Sequence, residues 1–217
     1  MEPDRDPLRR ERERMVNEQI LRRGIRDVRV LEAIREVPRH RFVPEADRGA
    51  AYDDGPLPVG YQQTISQPYI VAYMTEMLQL SSGDRVLEIG TGTGYQTAVL
   101  AKLAAEVYTV EIVEPLGSAA RMLLQQLGYR NIHFKIGNGW NAWPEAAPFD
   151  KVIVTAVAPE VPPALIDQLK DGGRLVMPVG SQVQELIEGV KRHGILEKTR
   201  QIPVRFVPLI SPGEEKE

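Results

Sequence analysis

Residues Arg85 to Gly94 read R-V-L-E-I-G-T-G-T-G, an apolar run of strand length that passes without interruption into glycines at 90, 92 and 94. Glycines so spaced let a strand turn sharply into a helix and bring backbone N–H groups against a ligand, because no Cβ blocks the approach. A second strand pattern, Glu106 to Val110, ends at the acidic Glu111. That residue lies about 20 positions on from the turn, where a nucleoside-binding α/β fold places the carboxylate that accepts ribose hydroxyls. The two features together point to a strand–turn–helix unit in a nucleoside-binding fold.

The rest of the chain agrees with that reading. Helix and strand patterns alternate: strand 85–89, helix 95–104, strand 106–111, helix 114–127, strand 132–136, strand 150–155, a helix from Pro162 to Lys170, and strand 173–179. Alternation of this kind predicts an α/β fold with a mainly parallel sheet flanked by helices. Val183–Val190, Ile195–Arg200 and Val204–Ile210 read as C-terminal edge strands. Ahead of the sheet, residues 8–23 form a charged helix with a narrow apolar stripe ending at Gly24, and Asp27 caps a second helix that Pro38 stops. From His40 to Pro68 the periodicity disappears; connections this long are more often functional than idle. Pro68 suits the first turn of a third helix, with Ile70, Met74 and Leu78 on one face.

At 217 residues the chain is read as a single domain: residues 1–80 carry the N-terminal helices and an active-site loop, 81–210 the α/β core, and 211–217 a tail expected to be disordered. The 27 basic and 30 acidic residues leave a net charge of −3, which gives no general pull toward nucleic acid or an anionic membrane. With no cysteine and only His40, His133 and His193, widely separated, no metal site is expected. Nothing in the sequence has the length of a membrane span or the apolar core of a secretory signal, so a cytoplasmic monomer is expected.

Which nucleotide would the turn hold? A phosphate-cradling loop needs Lys and then Ser or Thr after its last glycine, whereas Tyr95 and Gln96 follow Gly94. The dinucleotide fingerprint needs a glycine where Tyr95 stands, which weakens NAD and FAD. Glu88 would repel a pyrophosphate but could serve a cationic ligand, directly or through water. S-adenosyl-L-methionine meets these conditions, with an ammonium, a sulfonium and a ribose but no phosphate. Glu111 would then take both ribose hydroxyls as a bidentate acceptor.

Four separated blocks carry a family resemblance: Ala51–Met74 with its T-I-S-Q-P core, Val86–Ala101, Trp143–Asp150 continuing into A-L-I-D-Q-L-K-D-G-G-R-L-V-M-P-V-G, and Val204–Leu209. With these the chain resembles the protein-L-isoaspartate (D-aspartate) O-methyltransferases, repair enzymes with a Rossmann-like S-adenosylmethionine-dependent fold. The resemblance implies methyl transfer to the free α-carboxylate of isoaspartyl, and of D-aspartyl, residues in damaged proteins and peptides, with S-adenosyl-L-homocysteine as co-product and no metal. It further implies that Gly90, Gly92 and Gly94 pass close to the cofactor and that Glu111, with Ile112 beside it, holds the ribose. Thr64, Ile65 and Ser66 would stand between methyl donor and acceptor, with Ser66 as the catalytic residue. Without the family, Ser66 reads as a helix cap ahead of Pro68. Tyr61, Ile65, Ser66, Val204, Phe206 and Val207 are expected against an extended peptide gripped through its backbone. One departure stands out: the family's Gly-Asp-Gly, whose aspartate meets the adenine end, is here Gly137-Asn138-Gly139, so Asn138 and Gly139 are assigned to the cofactor with a weaker, uncharged acceptor.

Rival readings are a small-molecule or RNA methyltransferase, an NAD oxidoreductase and a non-catalytic cofactor-binding regulator. An amino-group methylase would favour N-P-P-Y or D-P-P-Y after the fourth core strand, where this chain has V-T-A-V-A-P, Val154 to Pro159.

Overall fold

The structure, a computed structural model, describes residues 8–210; the expected disorder of 211–217 lies outside the described residues. Seven strands form one sheet in the order β5-β4-β3-β6-β7-β8-β9: β3 (Arg85–Ile89), β4 (Glu106–Glu111), β5 (Ile132–Ile136), β6 (Phe149–Val154), β7 (Leu169–Gly180), β8 (Gln184–Arg192) and β9 (Ile195–Val204). The β5-β4-β3-β6-β7 portion is parallel, and β8 and β9 add antiparallel at one edge. Parallel neighbours need crossovers, which α4 (Tyr95–Ala101), α5 (Glu114–Gln126) and α6 (Pro163–Asp167) provide.

The period of two in each strand divides the core. Leu87, Ile89, Val110, Val152, Val154, Leu175 and Met177 bury toward one face, under α6 and two short 3-10 turns. Val86, Val107, Ile153 and Val176 bury toward the other, under α3 (Pro68–Leu78) and Leu100 of α4. The order reverses between β3 and β6, and a ligand crevice is expected beyond the carboxyl ends of strands at such a switch point.

Ahead of the sheet lie α1 (Arg9–Arg14) and α2 (Val28–Glu36). The expected helix over 8–23 is only partly α: after Arg14 the chain widens into a π-helical turn, Met15–Ile20, and tightens into a 3-10 turn before Gly24 closes it at φ 102°. Asp27 caps α2, its Oδ1 accepting from the Arg29 N–H at 2.9 Å. Glu76 of α3 accepts from the N–H groups of Arg26 and Asp27 at 2.6 and 2.7 Å, which ties this elaboration to the helix that leads out of T-I-S-Q-P.

The connection from 40 to 68 contains a hairpin, β1 (Leu57–Gly60) and β2 (Gln63–Ile65), turning through Tyr61 and Gln62 at φ 51° and 58°. At the far end, Val204–Ile210 is not a separate strand. β9 runs on to Val204, and the chain then leaves the sheet and pairs only at Pro208, beside Val157. Helix α6 is shorter than expected and β7 starts earlier, because Leu169 pairs with Phe149 across an irregularity before the ladder resumes at Arg174.

Candidate active site

Beyond the carboxyl ends of β3, β4 and β6 lies a cavity that is partly open to solvent, at the switch point where a ligand crevice is expected. Its floor is the glycine turn. Gly90 has φ 94°, and a Cβ there would run into the Thr155 hydroxyl, which donates to the Gly90 carbonyl at 2.8 Å and to that of Ile89 at 3.1 Å. Gly92, at φ 56°, has open space where its Cβ would be and also faces the cavity. Such a cradle admits a ligand against bare backbone.

Glu111 closes one side. Its Oε2 accepts from the Gly92 N–H at 2.8 Å, and its Oε1 from those of Ile112 and Val113 at 3.0 and 2.9 Å. A carboxylate has about four acceptor positions, so three are taken and one remains, on Oε2. Three backbone donors hold the carboxylate in a single orientation.

The same cavity is lined by Thr64, Ile65 and Ser66 from the end of the hairpin, and by Val207 to Ile210 from the C-terminal segment. Ser66 is half-buried and does not cap α3: the N-cap is Gln67, without a side-chain bond. Among the described residues the Ser66 hydroxyl has no hydrogen-bond partner, which leaves it available to a ligand. Gly139 and Ile112 also line the cavity.

Several expected site residues stand elsewhere. Glu88 is fully buried and points to the opposite face of the sheet from Ile89, as the strand period requires; it makes no cavity contact. Its Oε2 accepts from the hydroxyls of Thr97 and Thr109, both at 2.6 Å, and Thr109 in turn meets Thr91 at 2.6 Å. Since Thr109 gives its proton to Glu88, Thr91 donates to Thr109. Burial pushes the Glu88 carboxyl up to about 8, and its bonds to Thr97 and Thr109 make it an anchor beneath the turn, away from the cavity lining.

Gly94 is also off the cavity. It begins α4 at φ 90°, and a Cβ there would lie 2.8 Å from Leu124 Cδ1, so its smallness serves the packing of α4 against α5. Asn138 caps a 3-10 turn, its Oδ1 accepting from the Trp140 N–H at 2.9 Å, and does not line the cavity. Tyr61 is exposed at the hairpin tip. Val204 and Phe206 turn inward and pack against the cluster that contains Met74 and Leu78, whereas Val207 reaches the cavity. Thr155 and Gln96 are lining residues that sequence reasoning missed. Thr155 was within reach of it, since it directly follows a strand beside the switch point.

The Glu88 geometry gives a pH prediction. A carboxyl whose folded-state pKa lies above its unfolded value of 4.5 adds no penalty below that value and costs stability progressively as pH rises through about 8. Glu88→Gln is expected to gain stability relative to the parent protein between about pH 5 and pH 9. Thermal melts across that range check this; a difference independent of pH would contradict it.

Among the described residues, no helix is long and apolar enough to cross a membrane, and no group of three or more His, Asp or Glu side chains is placed to hold a metal ion. Comparison with known proteins agrees with the geometry. The family model for protein-L-isoaspartate(D-aspartate) O-methyltransferase matches residues 10–214. A protein-L-isoaspartate O-methyltransferase of Opitutus terrae is 58% identical over 202 residues, covering 91% of this chain and 86% of that protein. One of Picosynechococcus is 53% identical, covering 94% and 92%. Among solved structures, a protein-L-isoaspartate O-methyltransferase superimposes with a TM-score of 0.85 at 30% identity, covering 94% of this chain and 67% of that one. A Plasmodium falciparum protein, described as a protein-L-isoaspartate O-methyltransferase in complex with S-adenosyl-L-homocysteine, gives 0.80 at 27%, covering 91% and 97%. A match over nearly the whole chain, joined to a glycine-floored cavity faced by T-I-S-Q-P, places this chain in the protein-L-isoaspartate(D-aspartate) O-methyltransferase family.

Proposed function

We propose that the protein methylates the free α-carboxylate of L-isoaspartyl residues, and the free side-chain carboxylate of D-aspartyl residues, in damaged proteins and peptides, using S-adenosyl-L-methionine. The observation that carries this reading is the composition of the cavity, which brings the glycine turn and Glu111 together with Thr64–Ser66 and Val207–Ile210 in one lining. The donor fits the residues present: bare backbone at Gly90 and Gly92 and one open carboxylate acceptor suit a nucleoside without phosphates. When bound, S-adenosyl-L-methionine supplies a methyl group activated by a positive sulfur.

The chain's own residues then have modest tasks. An α-carboxylate has a pKa of about 3.5, so the acceptor is already an anion at neutral pH and needs no general base. His40, His133 and His193 do not line the cavity, which is compatible with that requirement. Ser66 orients the carboxylate through its hydroxyl, and the hairpin and C-terminal segment exclude water, which would otherwise stabilise the separated charges. Damage sites share no sequence, so recognition rests on the peptide backbone. The ester closes spontaneously to a succinimide with loss of methanol, and hydrolysis of that ring returns part of the material to normal aspartate.

Repeated cycles on an isoaspartyl peptide are expected to lower its isoaspartate content and raise normal aspartate, resolved by chromatography. An unchanged ratio after complete methyl turnover would remove the repair reading. Ser66→Ala is expected to lower kcat/KM by about 10- to 100-fold, the worth of a hydrogen bond to a charged group, while S-adenosyl-L-homocysteine affinity stays within about twofold. Loss of that affinity would reassign Ser66 to the cofactor.

A further inference from the structure

The C-terminal segment leaves the sheet where β9 ends and runs to the cavity. The last rung of the β8–β9 ladder pairs Gln184 with Val204, and beyond it the backbone of β8 offers nothing more. Gln184 continues the ladder with its side chain: the Phe206 N–H donates to Oε1 at 2.6 Å, and Nε2 donates to the Phe206 carbonyl at 3.3 Å. One amide thereby satisfies both backbone groups of a residue that has left the sheet, as a strand neighbour would. The next contacts belong to Val157, whose N–H donates to the Val207 carbonyl at 2.8 Å and whose carbonyl accepts from the Leu209 N–H at 2.7 Å. The Gln184 clamp on Phe206 thus stands directly ahead of the stretch that Val157 holds, whose Val207, Pro208 and Leu209 line the cavity.

We propose that Gln184 is a positioning residue for the methyl acceptor: its carboxamide clamps the Phe206 backbone and so holds Val207–Ile210 against the cavity. This rests on the reading of the cavity as a methyl-transfer site. Gln184 itself does not line the cavity and acts only through the segment. Its own place is set by the tight turn before it, where Gly180 at φ 122° pairs with Gln184 and a Cβ would run into the Val183 carbonyl. The clamp is specific in its chemistry, because it requires a donor and an acceptor on one side chain of this length.

The test is Gln184→Met, similar in length but without the amide, in the full chain. Amide exchange at Val157 and Leu209 is expected to accelerate about tenfold while Leu186 and Ile187 are unchanged, and KM for an isoaspartyl peptide is expected to rise about tenfold with kcat within about twofold. Gln184→Glu keeps the acceptor for the Phe206 N–H and loses the donor, and both effects should be intermediate; it decides the matter if the methionine variant does not fold. Unchanged exchange at Val157 and Leu209, or faster exchange with an unchanged KM, overturns the clamp. A parent protein that fails to methylate the peptide overturns the functional reading instead, and the exchange data then still decide whether Gln184 holds the segment.

Discussion

Glu111→Ala is expected to weaken S-adenosyl-L-homocysteine binding by about 100-fold or more. The substitution removes a charged acceptor worth about 1.5 to 3 kcal/mol to a ligand hydroxyl, and it also releases the donors that shape the site. Gly92, Ile112 and Val113 all direct their N–H groups at this carboxylate, so the glycine turn and the loop after β4 lose their common anchor together. The effect on the cofactor should therefore exceed that of any single contact. Calorimetric titration checks it, and affinity within about threefold of the parent would show that the carboxylate is structural only.

Gly90→Ala is expected to cost about 3 kcal/mol of stability. A left-handed backbone imposes about 1 to 2 kcal/mol on alanine, and the new methyl displaces the Thr155 hydroxyl, whose bond to the Gly90 carbonyl is worth about 1 kcal/mol. For a chain of this size that corresponds to a Tm lower by about 6 to 12 °C. Gly92→Ala separates the two roles. Its Cβ meets no protein atom within 4 Å but enters the cavity. It should lower Tm by only a few degrees while impairing the cofactor at least as strongly as Gly90→Ala. Equal Tm losses in the two variants would mean that Thr155 yields easily.

Much of this architecture was legible in the residues. Strands 85–89, 106–111 and 132–136 stand where their apolar runs stand, because each is bounded by a turn or a glycine that permits no extension. The hairpin before Ser66 was hidden for a physical reason: β1 contains Pro58 and Gly60, β2 is three residues long, and the turn uses Tyr61 and Gln62 at positive φ instead of the usual Asn-Gly. The π-helical turn at Met15–Ile20 leaves an apolar stripe in sequence that looks like ordinary α-helix.

The site was legible by motif and less so by direction. Gly90, Gly92, Glu111, Ile112, Thr64, Ile65, Ser66, Gly139 and Val207 all line one cavity. Glu88 and Gly94 belong to the same motif, yet one strand step turns Glu88 to the far face and helix packing claims Gly94. Val204 and Phe206 differ from Val207 only in which side of a departing strand they occupy. Motif position says that a residue is near the chemistry. Only the pleat and the neighbouring helix say which way it points.

The central claim is that the cavity recognises a misrouted main-chain carboxylate. It is tested most directly by offering labelled S-adenosyl-L-methionine with two peptides of identical composition, one containing isoaspartate and the other normal aspartate at the same position. The account predicts label in base-labile ester on the isoaspartyl peptide and none above background on its twin; equal labelling of both, or labelling of neither, would contradict it.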